Sequence, residues 1–572
     1  MKHRIGGGRL YIALGVMLLL LGAISWRLFE VSWNRHSWYA QTAQAQAGGI
    51  SNVLLRGNIY LTDSSGQEHL VATNHKFPVL MVTPSKLDKG AVDATVQRLV
   101  EITGLTPETV LKTTDSTTTG SRPLLRKLTD DQVAMVKALT ISGVTVGYET
   151  DRSYPAGMLA ADVIGFLGYG QNGREGQYGV ESAYEQELTG KTDSVLPAGL
   201  DIGARFAKLV GRTATTAIST DDAPRDVVLT IDKNIQSYAQ SVLDSVLKKY
   251  DAASGVLLVQ EPKTGRILAM ADSPSFDPNG YSSFPAANYL NASLLPFEPG
   301  SSFKPFTMAM GLDLHKVTSD TTFDDNSDVV VDGYNIKNFN EKHFGRVTMS
   351  QVLEKSINTG VMWVEERIGN SAFLDYVVDM GFGQRTGIDL PGESSGDISN
   401  LYTGRRINFM TASFGQGITV TPLQLITGYS AIANGGKLMR PYSVSAVRDE
   451  RGQRTETKPE MVGTPFTAKT AATLRAMLTA VVDNGFDKAH IPRYDVAGKT
   501  GTAQIASPEG GYLEGQYNHS FVGFAPAGDP RFVILIRMEK PQGITFAADS
   551  LSPAFKDMAL FMLNYLNIPP TR

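Results

Sequence analysis

The stretch Glu298-Pro299-Gly300-Ser301-Ser302-Phe303-Lys304, followed by Ser356-Ile357-Asn358 and Lys499-Thr500-Gly501, decides how this chain is interpreted. A serine hydroxyl becomes a good nucleophile only when a neighbouring base takes its proton. A lysine three positions after a serine lies on the same face of a helix, as Lys304 does after Ser301. That lysine must be neutral, and burial together with a second cation such as Lys499 would lower its pKa. The three strings therefore indicate a serine acyltransferase that uses no histidine.

Each string also occurs elsewhere in the chain, so its surroundings decide which copy is functional. The second copies are Ser245-Val246-Leu247-Lys248, Ser32-Trp33-Asn34 and Lys263-Thr264-Gly265. The first lies on a predicted amphipathic helix with Lys248 facing solvent, and the third forms the predicted turn of a β-hairpin. Ser301 differs because the turn Glu298-Pro299-Gly300 places it at the start of a helix, where backbone N–H groups are free.

Taken together, the three strings resemble the S-x-x-K, S-x-N and K-T-G motifs of the penicillin-recognising serine transpeptidases. The middle string departs from S-D-N at Ile357 and fits the broader S-x-N pattern of penicillin-binding proteins. The resemblance covers about Asp226 to Asn567 and is to the class B, monofunctional members. Further segments that resemble this family are Gly265-Arg266-Ile267-Leu268-Ala269-Met270, Pro274-Ser275-Phe276-Asp277-Pro278-Asn279, Gly387-Ile388-Asp389-Leu390-Pro391-Gly392-Glu393 and Phe521-Val522-Gly523-Phe524-Ala525-Pro526.

The resemblance implies a role for each motif residue. Ser301 would attack the carbonyl of a D-Ala-D-Ala stem peptide of peptidoglycan, and Lys304 would accept its proton. Ser356 would relay a proton to the leaving amine, and Asn358 would hold the substrate backbone. The groups expected to bind the terminal carboxylate, the peptide or the oxyanion are Lys499, Thr500, Gly501 and the backbone N–H groups of Ser301 and Thr502. A β-lactam would acylate the same serine and stay bound.

Composition excludes several other classes of function. The chain has 572 residues, of which 42% are hydrophobic and 19% charged, and its formal net charge is −4. This balance, without a basic run rich in aromatics, argues against nucleic-acid binding. Zero cysteines exclude disulfides and thiolate catalysis, and the eight histidines form no metal-binding motif, so we expect no metal and no cofactor. His343 and His519 are expected to be structural.

The apolar segment Leu10–Trp26 predicts a transmembrane anchor. Its 17 residues make ~26 Å of helix, close to the ~30 Å hydrocarbon core. Lys2, Arg4 and Arg9 precede it, so residues 1–9 are expected in the cytoplasm and the rest outside it. The alternative, a cleaved signal peptide, is disfavoured because the small residues near Ala47 lie too far beyond the segment. We therefore expect a single-pass protein of the bacterial inner membrane, with its catalytic domain extracytoplasmic.

The expected domain order is an anchor at 10–30, a non-catalytic α+β pedestal at 31–215, and a penicillin-binding transpeptidase domain at 216–572. Pedestal strands are predicted around Ile59–Leu61 and Val79–Val82, with a helix from Val92 to Ile102. Arg56 and Glu181 are expected to form a structural ion pair, because no nucleophile or metal cluster accompanies them.

The catalytic domain is expected to be an antiparallel sheet flanked by helices. The predicted elements are a strand at Val227–Ile231, a helix at 233–250, strands at Ser520–Phe524 and Phe532–Met538, and a helix from Ala554 to Leu566 that starts after Pro553.

Partners and alternative functions follow from the same resemblance. The pedestal lacks the glycosyltransferase motifs of class A proteins, so a separate polytopic glycosyltransferase is the expected polymerase. The compact pedestal resembles that of the division-type enzymes, which implies divisome partners and septal synthesis. An elongation-type transpeptidase and a D,D-carboxypeptidase stay open, because the motifs do not distinguish acceptors. A non-catalytic wall scaffold and a β-lactam sensor are less favoured, since every motif residue is present and only about nine residues precede the anchor.

Overall fold

The computed structural model describes residues 56–115, 120–170, 173–190, 223–326, 328–485, 487–507 and 509–572. The predicted anchor and the predicted boundary near residue 215 lie outside these ranges. Among the described residues, no helix combines the length and apolarity needed to cross a membrane. The chain divides into two compact units.

The strands are β1 (Ile59–Thr62), β2 (Glu68–Val82), β3 (Arg122–Arg126), β4 (Val144–Ser153), β5 (Leu167–Gly170), β6 (Gly173–Gly176), β7 (Asp226–Asp232), β8 (Ser254–Gln260), β9 (Ile267–Ser273), β10 (Thr322–Asp325), β11 (Val329–Val331), β12 (Tyr334–Ile336), β13 (Gly345–Thr348), β14 (Leu438–Met439), β15 (Val444–Arg448), β16 (Arg454–Glu456), β17 (Met461–Gly463), β18 (Ala497–Ala506), β19 (Tyr512–Ala525) and β20 (Phe532–Glu539). The helices are α1 (Val92–Thr103), α2 (Pro107–Thr114), α3 (Asp130–Ala138), α4 (Ala161–Ile164), α5 (Gly179–Ala183), α6 (Glu185–Thr189), α7 (Lys233–Lys249), α8 (Lys304–Asp313), α9 (Met349–Glu354), α10 (Asn358–Ile368), α11 (Asn370–Asp379), α12 (Arg406–Ala412), α13 (Pro422–Ala433), α14 (Ala468–Ala480) and α15 (Ala547–Tyr565).

The smaller unit contains helices α1 to α3 and the antiparallel pairing of β3 with the end of β2. Helices α2 and α3 begin with the side-chain caps Thr106 and Thr129, and Thr129 forms a capping box with Gln132. Its core is small and aliphatic and includes Leu80, Val82, Val96, Leu99, Val110, Leu128 and Val136.

The larger unit is built on a five-stranded antiparallel sheet in the order β18-β19-β20-β8-β9. Strands β8 and β9 form the predicted hairpin, and Gly265 in its connection has a φ of +88° that favours glycine. Helices α7 and α15 pack together against β9 and β19, and α13 packs against β8 and β20. All twelve residues of α13 are buried, including its polar Gln424 and Ser430.

The mixed α+β architecture with an antiparallel sheet flanked by helices confirms the predicted fold class. The ion pair of Arg56 and Glu181 is also confirmed: Arg56 Nε lies 2.6 Å from Glu181 Oε2, and both side chains are fully buried. Arg56 makes a second ion pair with Glu185 at 2.8 Å. These contacts join the segment just before β1 to α5 and α6 within the larger unit, which fits a structural role.

The last helix corrects one prediction. It begins at Ala547 rather than at Ala554, so Pro553 lies inside it. A proline inside a helix removes one backbone hydrogen bond and costs about 3 kcal/mol. The helical turns before Pro553 are nevertheless stable here because three of their own residues, Ala547, Ser550 and Leu551, are buried. Tertiary packing therefore outweighs the local signal of the proline.

Two buried carboxylates meet between α4 and β9 in the larger unit. Asp162 Oδ2 accepts a hydrogen bond from Ser275 Oγ at 2.8 Å, and Asp272 Oδ1 accepts one from Ser293 Oγ at 2.6 Å. The second oxygen of each carboxylate is buried without a hydrogen-bond partner within the described ranges. Burial raises the pKa of Asp272 to about 6 and raises the pKa of Asp162 well above its usual range, with the charge of Asp272 adding to the latter.

Candidate active site

Ser301 lies in a 3₁₀ turn, Gly300–Phe303, that leads directly into α8. Gly300 has a φ of +55°, and a Cβ atom built there would lie 2.8 Å from the Cβ of Ala503 on β18. The Gly300 amide donates to the carbonyl of Gly415 at 2.9 Å. Gly300 therefore lies too close to β18 to carry a side chain, and its backbone conformation also favours glycine. Ser301 itself stays half-buried and open to a ligand.

Lys304 is the first residue of α8, and its side chain is fully buried. Its Nζ donates to the carbonyl oxygen of Ser356 at 2.5 Å and to the Ser356 hydroxyl at 3.2 Å. Burial, and next the nearby positive charge of Lys499, hold the pKa of Lys304 well below its ordinary value. A lysine in this state can be neutral near physiological pH and can accept a proton.

Ser356 stands two residues before the first residue of α10, with a φ of +57°. A residue other than glycine in this left-handed region costs about 1–3 kcal/mol and persists only where its surroundings enforce it. The hydroxyl of Ser356 also accepts a hydrogen bond from Lys499 Nζ at 3.0 Å, so it joins the two lysines. Asn358, the first residue of α10, donates through its side-chain amide to the carbonyl of Lys337 at 3.1 Å.

Strand β18 carries the third motif at the edge of the sheet. Lys499 is fully buried, and burial lowers its pKa to about 7. Its Nζ also donates to the carbonyl of the adjacent Thr500, which is buried too. A Cβ atom on Gly501 would lie 2.4 Å from Ser520 Oγ and 2.8 Å from the Pro299 carbonyl, so only glycine fits. Thr502 is half-buried, and its hydroxyl accepts from the Ala547 amide at 3.2 Å.

The three motifs thus converge on the Ser356 hydroxyl, although they are far apart in sequence. The second copies do not join them: Ser245 and Lys248 are exposed on α7, and Lys263 forms an exposed ion pair with Asp529 at 2.6 Å. Ser32 lies outside the described residues. Within the described ranges, both side-chain hydrogen bonds of Lys304 go to Ser356 and none to the Ser301 hydroxyl. Catalytic hydrogen bonds often form only in the substrate complex.

Comparison with protein-family models identifies both parts of the chain. Residues 255–559 match the penicillin binding protein transpeptidase domain, and residues 53–196 match the penicillin-binding protein dimerisation domain. The chain belongs to the penicillin-binding proteins. Its catalytic module is a transpeptidase domain, and the S-x-x-K, S-x-N and K-T-G strings described above lie inside the matched region.

Relatives of this penicillin-binding protein can be aligned with it over most of their length. Stage V sporulation protein D of Bacillus subtilis is 31% identical over 88% of this chain and 77% of its own length. Peptidoglycan D,D-transpeptidase FtsI of Escherichia coli K12 is 31% identical over 78% of this chain and 73% of its own length. The crystal structure of penicillin binding protein 3 from Mycobacterium tuberculosis complexed with aztreonam is 30% identical, with a TM-score of 0.65, and the match covers 74% of this chain and 92% of that one.

Sequence reasoning missed two side chains that support the Ser301 turn in this penicillin-binding protein, one buried and one half-buried. The Tyr429 hydroxyl, from the fully buried α13, donates to the carbonyl of Ser302 at 2.7 Å. Glu298 Oε1 accepts from the Gly417 amide at 3.0 Å, and burial raises the pKa of Glu298. Glu298 directly precedes the Pro299-Gly300 turn, which is a sequence signal for it. No sequence signal marks Tyr429, because the Ser302 carbonyl that it contacts is distant in sequence.

The two histidines singled out from the sequence play no part in the convergence. His519 faces Thr502 across the β18–β19 pair, but it is buried, its Nδ1 lies 2.9 Å from Ser550 Oγ, and burial lowers its pKa to about 4. It is therefore neutral at physiological pH. The side chain of His343 is 40% exposed, and its Nε2 lies 3.7 Å from Asp328 Oδ1. In the described part of the chain, no group of three or more His, Asp or Glu residues is placed to hold a metal ion.

Helix α10, which begins with Asn358, also carries an unusual buried acid. Glu365 is fully buried, and neither of its carboxylate oxygens has a hydrogen-bond partner within the described ranges. Burial raises the pKa of Glu365 to about 7, against the opposing charge of Arg406. The side chain is therefore largely protonated below neutral pH, and ionising it weakens the native state.

Proposed function

We propose that this penicillin-binding protein cross-links peptidoglycan by D,D-transpeptidation through an acyl-enzyme on Ser301. The observation that carries the proposal is the pair of buried lysines, Lys304 and Lys499, which are joined through the hydroxyl of Ser356. Lys304 follows Ser301 by three residues. Names of relatives such as peptidoglycan D,D-transpeptidase FtsI support the same substrate class.

In the proposed reaction, Ser301 Oγ attacks the carbonyl between the two D-Ala residues of a stem peptide while neutral Lys304 takes its proton. The tetrahedral oxyanion is held by the backbone N–H groups of Ser301 and Thr502, each typically worth about 3–4 kcal/mol. Collapse breaks the peptide bond, and the proton reaches the leaving D-Ala amine through Ser356. An amine of a second stem peptide then attacks the ester, its proton returns by the same route, and Ser301 is regenerated.

Strand β18 suits the binding of an extended peptide, because it ends the sheet and offers unpaired backbone groups to a ligand strand. We assign the terminal carboxylate of the substrate to Lys499 and Thr500, and one substrate amide to Asn358. Gly501 keeps this edge free of a side chain. A β-lactam would follow the same acylation path, without releasing a leaving group that can diffuse away.

We further propose a septal role in the cell envelope. The support is the likeness to FtsI and to a sporulation protein, together with the apolar segment Leu10–Trp26. In this proposal that segment anchors the chain in the bacterial inner membrane, with residues 1–9 in the cytoplasm and the catalytic unit outside. A separate polytopic glycosyltransferase would supply the glycan, alongside divisome proteins.

The assignment of the nucleophile is tested with a fluorescent penicillin and mass spectrometry of the digested adduct. We expect the label on Ser301, and none on the variant Ser301→Ala. The matched control is Ser245→Ala, which changes the second S-x-x-K copy and should label as the parent does. Lys304→Arg should not be acylated, because guanidinium stays protonated, whereas Lys248→Arg should be. Label on Ser245 or acylation of Lys304→Arg would reject these assignments.

The reaction itself is tested by supplying the full-length protein with a separate polymerase and lipid-linked disaccharide peptide. Cross-linked muropeptide dimers are expected, and they must disappear with Ser301→Ala. Release of D-Ala with only monomers would establish a D,D-carboxypeptidase instead. Glycan polymer formed by this chain alone would refute the need for a partner.

Membrane topology is tested with protease added to spheroplasts. The proposal expects digestion of residues 40–572, and protection of that region would contradict it.

A further inference from the structure

The start of α10 lacks a cap from its own sequence. The residue before the helix is Ile357, whose side chain cannot accept a hydrogen bond, yet helices begin with backbone N–H groups that need partners. The partner comes from a loop twenty residues earlier. The side-chain oxygen of Asn338 accepts from the amides of Asn358 at 2.8 Å and Thr359 at 3.1 Å. A residue distant in sequence therefore caps the helix that carries the S-x-N motif.

The orientation of Asn338 is fixed by a buried acid. Asp325, fully buried at the end of β10, accepts from the Asn338 side-chain nitrogen at 3.1 and 2.9 Å. Its carboxylate also accepts from the Thr359 hydroxyl at 2.6 Å and from the Phe344 amide at 2.9 Å. Because a carboxylate accepts but does not donate, it forces the nitrogen of Asn338 toward itself and the oxygen toward the helix. Every contact in this network agrees on one amide orientation.

The same loop holds the catalytic side chains in place. Lys337, next to Asn338, accepts the side-chain amide of Asn358 through its carbonyl. Ser356 stands two residues before the helix start that Asn338 caps, and its left-handed backbone persists only where its surroundings enforce it. The network therefore contacts the backbone of Asn358 directly, and Ser356 lies two residues before that contact.

We propose that Asn338, oriented by Asp325, is a positioning residue that sets the place of Ser356 and Asn358 for acylation of Ser301. This inference rests on the proposed function. The loop between Asp325 and Phe344 is then a structural part of the catalytic apparatus. Displacing a reacting group by about 1 Å can slow a reaction by about 100-fold.

Two substitutions and their combination test the network. Asp325→Asn places an amide nitrogen where the parent carboxylate accepts hydrogen bonds from Asn338 and the Phe344 amide. Asn338→Asp places a second carboxylate against that of Asp325. Each should slow acylation by a fluorescent penicillin by about 10- to 100-fold. The double variant exchanges the two groups and restores the donor–acceptor pair between positions 325 and 338. It leaves the Lys342 carbonyl, which accepts from Asn338 at 3.0 Å in the parent, without that donor, so it should acylate faster than either single variant but more slowly than the parent. The matched control is Asp324→Asn, the same change at the exposed neighbouring residue, which should acylate like the parent.

Hydrogen exchange of the full-length protein supplies a readout that general destabilisation would not give. In Asn338→Asp and Asp325→Asn, amide exchange in the peptide covering 358–362 should rise at least about tenfold, while peptides from β8 and β9 should exchange as in the parent. Equal acceleration everywhere, or acylation within twofold of the parent for both variants, would overturn the proposal. If one variant does not fold, the other and the double variant still decide.

A parallel measurement separates this inference from the proposed function. Asn358→Ala should slow acylation at least as much as Asn338→Asp. If Asn358→Ala and Ser356→Ala acylate normally, the catalytic roles fail. If those two variants are impaired but the Asp325 and Asn338 variants are not, only the positioning role fails.

Discussion

Replacing Lys499 by glutamine should move the pH dependence of acylation to higher pH. Lys304 and Lys499 each donate to the Ser356 hydroxyl, at 3.2 and 3.0 Å, so their Nζ atoms are at most 6.2 Å apart. At an effective dielectric constant of about 20, two unit charges at that distance repel by about 2.7 kcal/mol. The charge of Lys499 therefore favours the neutral form of Lys304, and since about 1.4 kcal/mol corresponds to a factor of ten, losing that repulsion can slow a step that needs the neutral amine by up to about 100-fold.

The sign follows from the role of Lys304 as a base. The reaction needs the neutral amine, so the rate rises with pH through the pKa of Lys304. Burial and the charge of Lys499 lower that pKa and extend activity toward acid. Without the charge, the pKa of Lys304 rises and the neutral fraction at a given pH falls. Because the pKa of Lys499 is about 7, the difference between variant and parent should be largest below pH 7.

The assay is stopped-flow acylation by a fluorescent penicillin between about pH 5 and pH 10. In Lys499→Gln, the acid limb of the profile should shift to higher pH, with rates on that limb falling by up to about 100-fold more than the plateau. Lys263→Gln changes the second K-T-G copy, whose lysine is exposed, and serves as the control. A lower plateau with an unmoved acid limb would show that Lys499 acts by contact and not by charge.

Three further predictions concern one glycine at the site and two buried acids, Asp272 and Glu365. Gly501→Ala should slow acylation by at least about tenfold, because its Cβ would lie 2.4 Å from the Ser520 hydroxyl, whereas Gly528→Ala, with nothing within 4 Å, should be silent. Asp272→Asn should flatten the fall in stability that this acid causes as the pH rises from about 4 to 6, and should raise the unfolding free energy at pH 8, measured by urea titration, because the folded pKa of about 6 exceeds the unfolded value. Glu365→Gln should raise the unfolding temperature at pH 8 but not at pH 5, since the native protein favours the protonated acid.

The sequence predicted what depends on local pattern and on charge. The turn before Ser301 distinguished this serine from Ser245. The S-x-x-K and K-T-G strings predicted that burial and the charge of Lys499 lower the pKa of Lys304, which the structure confirms. The β8–β9 hairpin followed from two apolar runs separated by Thr264-Gly265. These features are readable because the residues that cause them are neighbours in sequence or belong to one motif.

Other features depend on residues that only the fold brings together. Nothing near Asn338 or Asp325 in the sequence indicates that they meet the start of α10, since 20 and 33 residues separate them from Asn358. The early start of α15 was missed because Pro553 gives a strong local signal, whereas the burial of Leu551 is a tertiary effect. The anchor stays a prediction, because Leu10–Trp26 lies outside the described residues.

At Ser356, the residue that would best stabilise the left-handed backbone differs from the residue that the reaction requires. Glycine adopts such a conformation freely, so Ser356→Gly would relieve about 1 kcal/mol or more of strain while removing the hydroxyl that joins Lys304 and Lys499. A library of variants selected only for thermal resistance would therefore tend to enrich glycine at this position and lose acylation. A more thermostable variant of this protein should therefore keep Ser356 and carry stabilising substitutions at other positions, for example at Glu365.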